Sequence, residues 1–122
     1  MILVDASVWI DHVRAPDDML LNLLQTRTVL THPFVIGEIS LGHVRRRDAV
    51  LAELQNLPQS QLAGDDEVLN LILGKKLFGL GIGYIDAHLL ASSMLTAGSS
   101  IWTRDGRLRA VAEKLGLSAG AA

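Results

Sequence analysis

The way its apolar runs end limits most strongly what this chain can fold into. Ile2-Leu3-Val4 has no polar alternation and halts at Asp5. Such a run suits a strand buried on both faces, as in a parallel sheet covered by helices. Residues 27–31 (RTVLT) and 100–103 (SIWT) read as two further strands, and Gly116-Leu117 as a marginal edge strand. Helical patterns lie between them: 8–13, a segment opened by Pro16-Asp17-Asp18, and one opened by Pro33 and closed by Arg45-Arg46-Arg47. Asp48 is the expected cap of a helix stopped by Pro58. Asp65 or Asp66 is the expected cap of the next, with Val68, Leu69, Ile72 and Leu73 as its buried stripe. Gly79, Gly81 and Gly83 form a joint before a helix over 84–96, which Gly98 terminates. A last helix runs to 115, and the final Ala-Gly-Ala-Ala is expected to fray. Strands alternating with helices predict one α/β domain over 1–122. It has three layers, with a mainly parallel central sheet of four to five strands flanked by helices.

Composition narrows the chemistry. The chain has 122 residues, 49% of them hydrophobic, and no cysteine. That supports a core and excludes disulfides, thiolate zinc sites and cysteine nucleophiles. A mean hydropathy of +0.32 points to apolar surface that meets a partner. No apolar run reaches the roughly 18 residues of a membrane span. Asp5 and Asp11 stand where a secretory leader would be basic and then apolar, so a soluble cytoplasmic protein is expected. His12, His32, His43 and His88 lack zinc spacing.

In parallel sheets the functional crevice lies beyond the carboxyl ends of the strands. Asp5 closes the first strand, and Asp105 follows the SIWT strand by two residues. Glu38 sits among Val35, Ile36 and Ile39; Asp86 lies between Ile85 and Ala87 near the start of a helix. Each acid has an ordinary use as well: Asp5 and Asp105 as caps, Asp86 as a helix-dipole charge, Glu38 as a helix-surface residue. Grouping four carboxylates is unfavourable unless a cation joins them. Mg²⁺, or Mn²⁺ in its place, is the natural solution, because hard cations take oxygen ligands and keep waters for a phosphate. The chemistry such a site supports is phosphodiester hydrolysis. The net charge of −2 looks wrong for a nucleic-acid binder. Setting four acids aside changes it to +2, and two divalent ions in their place bring it to +6. Arg104, Arg107 and Arg109 surround Asp105 and are placed to meet a phosphate backbone. Trp9 and Trp102 read as core, and aromatics at 4% do not suggest a base-stacking platform.

The segments ILVDASVWID (2–11), VIGEISLG (35–42), IGYIDAHLLASS (82–93) and IWTRDGRL (101–108) resemble PIN-domain ribonucleases, in particular VapC toxins of bacterial type II toxin–antitoxin pairs. The resemblance spans nearly the whole chain in order. It implies metal-ligating or metal-positioning roles for Asp5, Glu38, Asp86 and Asp105, and a supporting polar role for Ser7 and Thr103. It further implies an RNA substrate, a VapB-like antitoxin partner that blocks the pocket, and a homodimer. Leu108 stands where the family usually has an aromatic residue.

Other readings are weaker. Haloacid-dehalogenase-type phosphatases need a second aspartate two residues after the first, where Ser7 stands here. Receiver domains need adjacent acids and a late lysine, and neither is evident. The alternative of another class is a non-catalytic module of the same fold, its acids docking a basic partner segment.

Overall fold

The computed structural model describes residues 1–121. Strand β1 (Ile2–Val4) lies at the centre of a parallel sheet, between β2 (Val29–Leu30) and β3 (Ser100–Trp102). Ile2 and Leu3 pair with Val29 and Leu30 on one side; Ile2, Leu3 and Val4 pair with Ser100, Ile101 and Trp102 on the other. Leu3 and Val4 point to opposite faces, yet both are fully buried. Helices therefore cover both faces, which is the three-layer arrangement expected of an unalternated strand.

The sheet is narrower than the expected four to five strands. Three strands are formed among the described residues, and single parallel bridges, Thr31 to Gln59 and Ile101 to Ser118, extend its edges. The second bridge is the remnant of the edge strand anticipated at Gly116-Leu117. There the Ile101 amide donates to the Leu117 carbonyl at 2.6 Å, and the Ala119 amide to the Ile101 carbonyl at 2.9 Å. Ala119 is thus tied to the sheet, contrary to the expected fraying; Ala122 lies outside the described residues.

Among the described residues seven helices fill the layers: α1 (Ala6–Arg14), α2 (Asp18–Gln25), α3 (Pro33–Leu41), α4 (Arg47–Gln55), α5 (Asp65–Gly74), α6 (Tyr84–Leu95) and α7 (Gly106–Lys114). The core gathers Trp9 of α1, Leu20 of α2, Ile39 of α3, Leu89 and Leu90 of α6, and Trp102 of β3. In α6 every residue from Ala87 to Ser93 is buried, so this helix is central.

Three helix boundaries differ from the sequence expectation, each for a local reason. Helix α3 ends at Leu41 because Gly42 caps it, its N–H bonding the Ile39 carbonyl. The three arginines therefore do not close that helix. Arg46 instead adopts a left-handed conformation (φ 56°) and Arg47 opens α4, with Asp48 in its first turn and not at the cap. Gly64 caps α5, its N–H bonded to Glu67 Oε1 at 3.0 Å, in place of Asp65 or Asp66. On α5 the inward face is Val68, Leu71 and Ile72 against α6. Leu69 and Leu73, 49% and 68% exposed, form a neighbouring stripe rotated out to solvent, because residues four apart share a face.

Candidate active site

Asp5 is held more closely than the other acids. It follows β1, caps α1 and is buried. Its Oδ2 accepts from the Ser7 hydroxyl at 2.7 Å, the Thr103 hydroxyl at 2.9 Å and the Ser7 amide at 3.4 Å. All three donors fall on one oxygen, which leaves Oδ1 without a donor among the described residues. The two hydroxyls are themselves fixed: Ser7 Oγ accepts from the Arg104 amide at 3.0 Å, and Thr103 Oγ1 from the Asp105 amide at 3.1 Å. Ser7 and Thr103 thereby tie the end of β1 to the turn after β3.

Asp105 caps α7, its Oδ1 accepting from the Arg107 and Leu108 amides at 2.9 and 3.2 Å. Its residue is exposed, and no described donor meets Oδ2. Asp86 lies in the first turn of α6, half-buried, with Oδ2 accepting from the Gly83 amide at 3.0 Å. Glu38 is carried by α3 and is exposed as a whole residue. It is therefore less enclosed than its apolar neighbours suggested.

Electrostatics link all four. Burial raises the pKa of Glu38, and the charges of Asp5 and Asp86 raise it further. Burial also raises that of Asp86; the Gly83 amide opposes the rise, while Asp5 and Asp105 add to it. Asp86 is thus the acid that meets the field of every other one. Among the described residues, no three Asp, Glu or His side chains stand as a ready-made ligand shell. The carboxylates share a field and not yet a coordination sphere.

No basic side chain among the described ion pairs neutralises this group. Arg104 bonds Asp11 at 2.9 Å and Asp17 at 2.5 Å, with its guanidinium 5.6 Å from the centre of the Trp102 ring. Instead of standing out toward a phosphate backbone, it ties the β3–α7 turn to α1 and the start of α2. Arg107 remains beside the acids. It packs over Gly81, where an added Cβ would lie 2.7 Å from Arg107 Cδ, and Gly81 has φ +82°. Arg109 pairs with Glu113 at 3.4 Å.

Two histidines that the sequence left without a role hold the acid-bearing helices together. His32 caps α3: Nδ1 accepts from the Phe34 amide at 3.0 Å, and Nε2 lies 3.1 Å from the Ser92 hydroxyl of α6. Burial, and then the neighbouring His88, lower its pKa to about 4. His88 of α6 meets Asp65 at 3.2 Å and packs edge-on against Phe34 and Tyr84. The one signal in the sequence was the place of His32, directly before a proline that opens a helix.

Comparison with known proteins places this architecture. The chain belongs to the PIN-domain family, whose domain matches residues 2–114. Within it, the chain is similar to Ribonuclease VapC32 of Mycobacterium tuberculosis, in strains CDC 1551 / Oshkosh and ATCC 25618 / H37Rv. Each is 47% identical over 118 residues, covering 97% of this chain and 95% of the relative. No solved structure gives a significant match.

Proposed function

We propose that this chain is a divalent-metal-dependent endoribonuclease toxin, neutralised by a VapB-like antitoxin; its Mycobacterium relative carries the name of a ribonuclease. The carrying observation is the shared field of Asp5, Glu38, Asp86 and Asp105, which no ion pair among the described residues balances. All-oxygen donors of this kind fit Mg²⁺, with Mn²⁺ as a substitute. When bound, the ion supplies positive charge that lowers the pKa of water and offsets charge on the phosphate and the departing oxygen.

The chain's own residues have distinct tasks. Ser7 and Thr103 hold Asp5 by Oδ2 and so present Oδ1. The α7 amides hold Asp105 by Oδ1, and the Gly83 amide holds Asp86 by Oδ2. Glu38 and Asp86, whose pKa values burial and neighbouring acids raise, are the carboxylates suited to take the proton of the attacking water. Water adds to phosphorus, the bond to the leaving ribose oxygen breaks, and that oxygen receives a proton from solvent. Arg107, beside Asp105, is placed to contact the RNA backbone.

Leu69, Leu73, Phe78, Leu80 and Tyr84 are exposed on and after α5. This apolar surface suits a homodimer or antitoxin contact. No helix among the described residues is long and apolar enough to cross a membrane. The test is cleavage of structured RNA in Mg²⁺ or Mn²⁺, with and without EDTA. Cleavage that needs metal supports the reading. Intact RNA in both metals overturns it in favour of a non-catalytic module that docks a basic segment.

A further inference from the structure

Any RNA substrate must overcome the acid field and a net charge of −2, so it needs cations elsewhere. Arg104 is held by Asp11 and Asp17, Arg47 by Asp48 and Arg109 by Glu113. Arg14, Arg45 and Arg46 form no ion pair among the described residues, and they converge on one place. Two adjoining clefts of about 220 and 290 Å³, which share Val13 and Arg45, lie between the last turn of α1 and the segment joining α3 to α4. Arg14 and His43 line one; Arg46 and His12 line the other. Glu53 is the only carboxylate among the lining residues.

Two details mark the cleft as a place for an oxygen-rich anion. His12 Nδ1 accepts from the Asp17 amide at 2.9 Å, which leaves Nε2 as its donor nitrogen. Arg46 holds φ +56°, a conformation uncommon for a non-glycine residue and concentrated at functional sites.

Two helices link the cleft to the acid site. Helix α1 begins at Asp5 and ends at Arg14, roughly 13 Å away at 1.5 Å per residue. Helix α3 packs against α1, carries Glu38 and runs into the same cleft. We propose that the groove of Arg14, His43, Arg45 and Arg46 binds the phosphate backbone of the RNA strand, one to a few nucleotides from the bond cut beside Asp5 and Glu38. This inference rests on the ribonuclease reading for its substrate class. The proximity to the acids favours RNA over an acidic protein segment as the occupant.

The test uses a fluorescein-labelled single-stranded RNA of about 12 nucleotides, bound in EDTA so that it stays intact, across a salt series. The double variant Arg45→Gln/Arg46→Asn removes two charges, and asparagine tolerates the left-handed backbone at 46. Circular dichroism checks its folding. Expected is about tenfold weaker binding and a log K against log salt slope shallower by about 1.4, at about 0.7 per phosphate contact. Arg45→Lys/Arg46→Lys should keep the wild-type slope. In Mg²⁺ the neutral variant should lose kcat/KM through a raised KM. Wild-type affinity and slope in the neutral variant overturn the proposal. So does unchanged RNA binding combined with lost binding to a co-expressed acidic antitoxin, which makes the groove a protein site. A slope that falls as expected, in a protein that cuts no RNA, upholds the groove and removes the nuclease reading instead.

Discussion

Replacing Thr103 with valine isolates the device that orients Asp5. The two side chains have nearly the same shape, so the substitution removes a hydroxyl and leaves no cavity. That hydroxyl is buried; it donates to Asp5 Oδ2 at 2.9 Å and accepts from the Asp105 amide at 3.1 Å. A hydrogen bond to a charged group contributes about 1.5–3 kcal/mol, and a neutral one about 1 kcal/mol. Ser7 still reaches Asp5 Oδ2 at 2.7 Å, so the carboxylate is not stranded and the cost falls in the lower half of that range. The expected loss is about 2–3 kcal/mol, a sizeable share of the roughly 5–15 kcal/mol that a domain has. Urea unfolding in EDTA measures it as a lower midpoint with an unchanged slope. Ser7→Ala should cost a similar amount. The two effects should be non-additive, because both hydroxyls bond one oxygen and lie 3.3 Å apart. A Thr103→Val variant within about 0.5 kcal/mol of wild type, cleaving RNA at the wild-type rate, would refute the claim that Thr103 fixes Asp5.

Asp86→Asn should lower cleavage by at least about 100-fold while raising the metal-free melting temperature, since burial and the charges of Asp5 and Asp105 disfavour its ionised form; a calorimetric scan in EDTA showing a clear drop contradicts this. The sign of its pH effect follows: with the folded pKa above the unfolded value, metal-free wild type loses stability as pH rises through that interval, and Asp86→Asn should lose less. His32 has the opposite sense, because its folded pKa is lowered to about 4. Its contribution is complete above the ordinary histidine value of 6.5 and declines as pH falls toward 4, by on the order of 3 kcal/mol. His32→Asn keeps a side-chain acceptor for the Phe34 amide but cannot titrate, so its urea midpoints should fall less than wild type between pH 6.5 and 4. Gly81→Ala places a Cβ on a φ of +82° against Arg107 and should cost about 1 kcal/mol; an unchanged urea midpoint would show that the joint is not so constrained.

Much of the fold was legible because its signals are local. Ile2-Leu3-Val4 lacks alternation, and the structure buries both of its faces. Tyr84 to Leu95 reads as a helix after a glycine joint and folds as one. The errors arose where a single glycine outweighs a longer pattern. Gly42 ends α3 before the arginines, and Gly64 takes the cap from the aspartates beside it. On α5, apolar residues one position apart looked like one stripe, and only the position of α6 decides which of them is buried. The four acids stood out because each interrupts or ends an apolar element, and their mutual field depends on strand order that no local motif encodes. Arg104 illustrates the limit: its position beside Asp105 suggested a phosphate, whereas its partners lie 93 and 87 residues earlier in the chain.

The account depends most on a divalent ion settling among acids from β1, α3, α6 and α7. Crystals soaked in Mn²⁺ and measured for anomalous scattering test that directly. A strong peak beside Asp5 and Asp86, with Glu38 and Asp105 reached directly or through water, is the predicted result. An empty map at these carboxylates, or manganese bound only on another face, contradicts it.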